Sequence, residues 1–179
     1  MSRLPFDRVV LVGFMGAGKT AVGASLAEAL GWRWLDVDAR IEEAESCSLE
    51  TLFERSGEAH FRVLEARATL NLLVEREVVI STGGGWAAVP GRLDELPPRT
   101  ASVWLRVSAA EALRRVQASG AARPLLAVAD PHAAARRLLE DREAHYARAD
   151  WTVDTEGRTV DDVSAQVLAL LRIDPNLDD

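Results

Sequence analysis

The stretch Gly13-Phe14-Met15-Gly16-Ala17-Gly18-Lys19-Thr20 constrains the fold more than any other feature of the chain. It fits G-x-x-x-x-G-K-[ST], with the β-branched run Val9–Val12 before it and helix formers from Ala21 to Leu30 after it, closed by Gly31. Strand, glycine loop and helix in that order turn backbone N–H groups inward onto an anion at the positive end of a helix dipole. A unit of this kind belongs to a parallel sheet, whose ligands lie at the carboxyl ends of the strands.

The rest of the chain supplies such a sheet. Trp34 to Val37 reads as the second strand, and helical periodicity follows around Ile41 to Ala44 and from Leu49 to Arg55, where Ser48 is an N-cap candidate. A longer helix is expected from about Glu58 to Arg76, with Ser56 before it. Val78 to Ile80 forms the third strand and runs into Gly83-Gly84-Gly85; Ser102 to Val107 forms the fourth. Ser108 to Glu111 has the form of a capping box, Asp130-Pro131 starts a helix through about Arg148, Trp151 to Val153 is the fifth strand, and Thr159 to Asp162 opens a last helix through Leu171. The expected fold is therefore α/β: a three-layer α/β/α arrangement around a five-stranded parallel sheet. One domain spans residues 1–172, with a substrate-binding region about 38–65, a mobile lid about 118–130 and an acidic tail 173–179. Trp32, Trp34, Trp104 and Trp151 are expected in the core.

Composition narrows the function. A chain of 179 residues with 48% hydrophobic and 27% charged residues builds one core, and a formal charge of -7 argues against a nucleic-acid or anionic-membrane surface. No run reaches the ~18 apolar residues of a membrane span, and Arg3 and Arg8 before Val9–Gly18 imitate a secretory signal less well than that stretch fits the strand and glycine loop. A single cysteine, Cys47, and three scattered histidines point to a reducing, cytoplasmic setting without structural zinc. Of the 21 basic residues only Lys19 is lysine, which removes the Asn-Lys-x-Asp signature of guanine readers.

The polar residues at strand ends carry the chemistry. Lys19 is a compact ammonium for a β/γ-phosphate, and Thr20 offers a hydroxyl to Mg²⁺. The third strand leads to Ser81 and Thr82 rather than to the acid of an ATPase motor. Asp36 and Asp38, two apart, are expected side by side at the end of the second strand, one ordering magnesium water and the other handling a substrate proton, with helix capping as the competing reading. The glycine triplet lets a ligand approach backbone. Arg62 and Glu65, three apart on a helix, form either a surface ion pair or a carboxylate-held arginine for an anion. His60, His132, His145 and Cys47 receive no chemical role.

In order along the chain, the phosphate loop, Asp36-Val37-Asp38, Phe61-Arg62 with Glu65, the glycine triplet, Arg123-Pro124-Leu125-Leu126, and Arg142 with Tyr146 resemble the shikimate kinases from about Val9 to Leu171. That resemblance implies transfer of the ATP γ-phosphate to the 3-hydroxyl of shikimate, giving 3-phosphoshikimate and ADP on the route to chorismate and the aromatic amino acids. It implies ATP on Gly16, Ala17, Gly18, Lys19, Thr20 and Ala21, with Arg115, Arg123 and Arg158, one of Arg114 or Arg115 lying against adenine. Shikimate would be held by Asp38, Arg62, Gly84 and Arg142, with Glu65, Gly83 and Gly85 in support. Thr20 and Asp36 would hold Mg²⁺, the latter through water, and Asp38, Lys19 and Arg123 would act in catalysis. A monomer is the default. This chain departs from the family pattern at Trp86, bulky after the glycines, in an Arg115-to-Arg123 spacing one residue long, and in one residue fewer between Tyr146 and Ala149. Two alternatives remain: a related kinase for gluconate or another hydroxy acid, and a nucleotide-sensing module, against which the paired aspartates argue.

Overall fold

Val9, Val10, Leu11 and Val12 are wholly shielded from solvent, which is why this run shows no alternation of apolar and polar residues: its strand is covered on both faces. The computed structural model describes residues 4–120, 126 and 128–172. Its five strands are β1 (Arg8–Val12), β2 (Arg33–Asp36), β3 (Val78–Ser81), β4 (Thr100–Arg106) and β5 (Trp151–Asp154). They form one all-parallel sheet in the order β2-β3-β1-β4-β5. The helices are α1 (Lys19–Leu30), α2 (Val37–Glu45), α3 (Leu49–Leu72), α4 (Ala109–Ser119), α5 (Pro131–Tyr146) and α6 (Val160–Leu171), with a 3₁₀ turn at Trp86–Ala88. α1 lies on β1, β2 and β3 and packs against α6, while α4 packs against α5. Strand order changes direction around β1, so the loops after β1, β3 and β4 gather at one crevice.

Local chemistry accounts for the element ends. Gly31 closes α1 in the left-handed conformation (φ 68°). α3 is broken at Gly57 (φ 76°, ψ 172°), which separates the two helices expected there, and it ends at Leu72 rather than Arg76. Asp130 caps α5 with Pro131 in its first turn, and Thr159 with Asp162 forms a complete capping box on α6. The box expected at Ser108 is only half made: Ser108 accepts the Glu111 N–H, but the Glu111 carboxylate is taken by Arg114 and Arg115.

Trp104 is buried, and Trp151 packs edge-on against Phe6 with ring centroids 5.5 Å apart. Trp34 corrects the expectation of a core position, being 37% exposed on edge strand β2. Trp86, by contrast, is 3% exposed and belongs to the core cluster. Residues 121–125, Arg123 among them, and residue 127 of the expected lid, together with the tail 173–179, lie outside the described residues. Among the described residues no helix is long and apolar enough to cross a membrane.

Candidate active site

Two glycines let the loop after β1 pass where a side chain could not. A Cβ on Gly13 (φ 137°) would collide with the Leu105 carbonyl, and one on Gly16 (φ 73°) would lie 2.6 Å from the Ala112 carbonyl oxygen. The loop thus runs flush between β4 and α4 and delivers Lys19 and Thr20 to the first turn of α1. Lys19 Nζ folds back to donate to the Gly13 and Phe14 carbonyls at 2.8 and 2.9 Å. Thr20 Oγ1 donates to Asp36 Oδ2 at 2.9 Å.

Asp36 also caps α2, accepting the Ala39 N–H at 3.2 Å. Asp38 therefore sits within the first helical turn, which corrects the side-by-side arrangement on an extended strand: β2 stops at Asp36, which caps the helix that Asp38 belongs to. Both still line the same cleft. Among the described residues no cluster of three or more His, Cys, Asp or Glu could hold a metal ion.

Opposite the phosphate loop, Gly83-Gly84-Gly85 follows β3 as bare backbone. A Cβ on Gly83 would collide with Glu65 Oε1 and lie 3.1 Å from Asp38 Oδ1, and one on Gly85 would collide with the Arg62 guanidinium. Arg142 Nη1 donates to the Gly84 carbonyl at 3.2 Å, and the buried Tyr146 hydroxyl donates to the same oxygen. Arg62 is gripped from two sides, by Glu65 Oε2 at 2.8 Å and by Glu58 Oε1 at 2.9 Å. Glu65 is buried, so the surface-pair reading fails. Burial pushes its carboxyl above the usual glutamate range, opposed by Arg62 and, more weakly, by Arg142 and Lys19.

One cleft of about 380 Å³ is lined by Gly16, Gly18, Lys19, Thr20 and Ala21 from the phosphate loop and α1, by Asp36 and Asp38, and by Arg62, Glu65, Gly83, Gly84, Gly85 and Arg142. Ala17 is buried beneath the loop. Trp86 does not line the cleft, so it fills core and does not narrow the pocket. Arg115 does not line it either: it donates to the Gly16 carbonyl (3.2 Å), to Thr155 Oγ1 and O (3.1 and 2.8 Å) and to Glu111 (2.7 Å). Arg158 is tied to the Asp154 and Asp162 carbonyls and to Gln166.

Sequence reasoning missed several supporting groups. Leu49 and Phe53 form an apolar wall of the cleft, and Phe53 stacks on Phe61 with centroids 4.7 Å apart. Their i, i+4 spacing signalled a helix but not which side faced the cleft. Thr82 and Thr155 carried no local signal, because their partners come from distant segments; Glu58 stands four residues before Arg62 and Glu111 four before Arg115, a helical spacing that does not by itself mark a supporting role.

A phosphate loop that opens directly into a cleft with room for a small second substrate is the layout of a P-loop phosphotransferase. The shikimate kinase family model matches residues 15–172. The shikimate kinase of Synechococcus sp. (strain RCC307) is 43% identical, the match covering 94% of this chain and 86% of that one. That of Ruegeria pomeroyi is also 43% identical, over 91% of this chain and 84% of its own. Among solved structures, shikimate kinase from Acinetobacter baumannii in complex with shikimate superposes with a TM-score of 0.87 at 34% identity, covering 93% of each chain. This chain belongs to the shikimate kinase family.

Proposed function

We propose that this chain phosphorylates the 3-hydroxyl of shikimate with ATP and Mg²⁺, with the cleft residues divided between a donor side and an acceptor side. The observation that carries the reading is that Lys19 and Thr20 share one cleft with Arg62, Arg142 and Asp38. A small acid resting on the two guanidinium groups would present its hydroxyl to the phosphate loop.

On the acceptor side, Arg62 and Arg142 hold the carboxylate by charge-assisted hydrogen bonds, and Glu65 and Glu58 hold the Arg62 fork in place. Arg142 and Tyr146 meanwhile fix the Gly84 carbonyl, which keeps the glycine triplet in one conformation. Asp38 orients the hydroxyl and accepts its proton as the phosphorus–oxygen bond forms in line with departure of ADP.

On the donor side, the backbone of Gly16 to Ala21 cradles the phosphates, and the Lys19 ammonium exchanges its two carbonyl partners for phosphate oxygen. The Thr20 hydroxyl and the Asp36 carboxylate, 2.9 Å apart, are hard oxygen donors that fit Mg²⁺, Asp36 through water. When bound, that ion neutralises charge on the phosphates. Arg115 has its N–H edges engaged by Gly16, Thr155 and Glu111, which leaves the planar face of the guanidinium to lie against adenine. On the family resemblance, Arg158 of the loop after β5 is assigned to the nucleotide and Arg123 to the transferring phosphoryl group.

A coupled ADP-release assay with shikimate, gluconate, nucleoside monophosphates and no acceptor tests the reading. ADP release should require shikimate together with Mg²⁺. Turnover with gluconate in preference to shikimate would move the chain to another hydroxy-acid kinase, and ADP binding without release would make it a sensor.

A further inference from the structure

Trp34 is a large indole left more than one-third exposed on an edge strand, yet its one polar atom points inward. Residue 34 of β2 pairs with Val79 of β3, so Ser81, two residues on, is its diagonal neighbour on the same face of the sheet. Trp34 Nε1 donates to Ser81 Oγ at 3.1 Å, and Ser81 Oγ donates to the Lys19 carbonyl at 2.8 Å. An indole N–H only donates, and a serine hydroxyl has one proton. With its lone pair occupied by Trp34, Ser81 has its own proton directed at Lys19.

That carbonyl matters because the Lys19 C=O and the Thr20 N–H belong to one planar peptide unit. Anchoring the oxygen from the sheet aims the opposite N–H out of the first turn of α1, where the unpaired amides of a helix start face an anion. The Thr20 side chain is moored in parallel to Asp36, which pairs with Ser81 across the strands and shares a face of β2 with Trp34. Gly23, one turn further along α1, fits the same arrangement: a Cβ there would lie 2.5 Å from Ser81 Oγ and 2.8 Å from Trp34 Nε1. The helix brings bare backbone to the pair so that it can form.

We infer that Trp34 is a positioning residue for nucleotide binding, acting through Ser81 to fix the Lys19–Thr20 peptide whose N–H meets phosphate. The inference rests on the nucleotide site proposed above. Trp34→Phe keeps an aromatic ring and removes the donor, whereas Ser81→Ala removes the relay. Calorimetric titration with ADP should show each single variant weakened about three- to tenfold, the size of one hydrogen bond. The double variant should be no weaker than Ser81→Ala alone, and shikimate affinity should stay at the wild-type value in all three. A general loosening of the fold would instead weaken both ligands and multiply in the double variant, and that result would overturn the role of Trp34. A Trp34→Phe protein that binds ADP like wild type would overturn it too. A wild-type protein that takes no ADP would overturn the nucleotide site itself.

Discussion

Arg62 Nη1 lies 2.8 Å from Oε2 of Glu65, a carboxylate only 2% exposed, so the guanidinium is held by a partner that cannot move into water. A pair of this kind positions the arginine for a second anion at low conformational cost. Arg62→Ala or Arg142→Ala should weaken shikimate binding by about 1.5–3 kcal/mol for each lost charged partner, with ADP affinity retained. Calorimetry with each ligand separately measures this. Loss of ADP rather than shikimate affinity in Arg62→Ala would place the residue on the wrong substrate.

Lys19 is buried against the Gly13 and Phe14 carbonyls at the turn that must also admit phosphate. Lys19→Ala should abolish transfer while the circular dichroism spectrum stays native. Lys19→Arg keeps the charge but adds a planar fork that does not fit between those carbonyls, so it should fail as well. A Lys19→Arg enzyme with near-wild-type turnover would show that charge alone suffices.

Two carboxyls pull the pH dependence of stability in opposite directions. Hydrogen bonds from Arg114 and Arg115 lower Glu111 to about 2, so its stabilising contribution is present above the ordinary glutamate range and lost as pH falls toward 2. Burial raises Glu65, so its contribution is complete at acid pH and lost as pH rises through its raised value. Thermal midpoints measured down an acid series should fall less steeply for Glu111→Gln than for wild type. Identical acid limbs would mean that the Glu111 pairs do not hold in solution.

Motifs whose meaning lies in consecutive residues were legible in the sequence: the phosphate loop, the five strands, the Asp130-Pro131 and Thr159 helix starts, and the break near Gly57. What depended on distant partners was not. β3 inserts between β2 and β1, which makes β2 an edge strand and leaves Trp34 exposed, and no local pattern encodes that order. The i, i+3 spacing of Arg62 and Glu65 left a surface pair and a carboxylate-held arginine both open, because their burial comes from the glycine triplet closing over them. The tie of Arg115 to the Gly16 carbonyl spans 99 residues of sequence and had no local signal. Leu35-Asp36-Val37-Asp38 alternates like a strand, and only the capping bond to Ala39 shows that the helix begins one residue after the first aspartate.

That capping bond sharpens the separation of the two aspartates. Asparagine caps helices about as well as aspartate, so Asp36→Asn should leave α2 in place and remove only the charge facing Thr20. Its defect should then be partly relieved by raising Mg²⁺, because a weaker site fills at higher ion concentration. Asp38 has no part in that cap and lines the cleft beside Glu65 and Gly83. Asp38→Asn keeps its shape and loses a proton acceptor, so kcat should drop by about 10²–10⁴-fold at saturating ATP and shikimate, with no relief from Mg²⁺. The measurement is kcat for both variants across a magnesium titration. Equal rescue would merge the two roles into one, and a normal kcat in Asp38→Asn would remove that carboxylate from the chemistry.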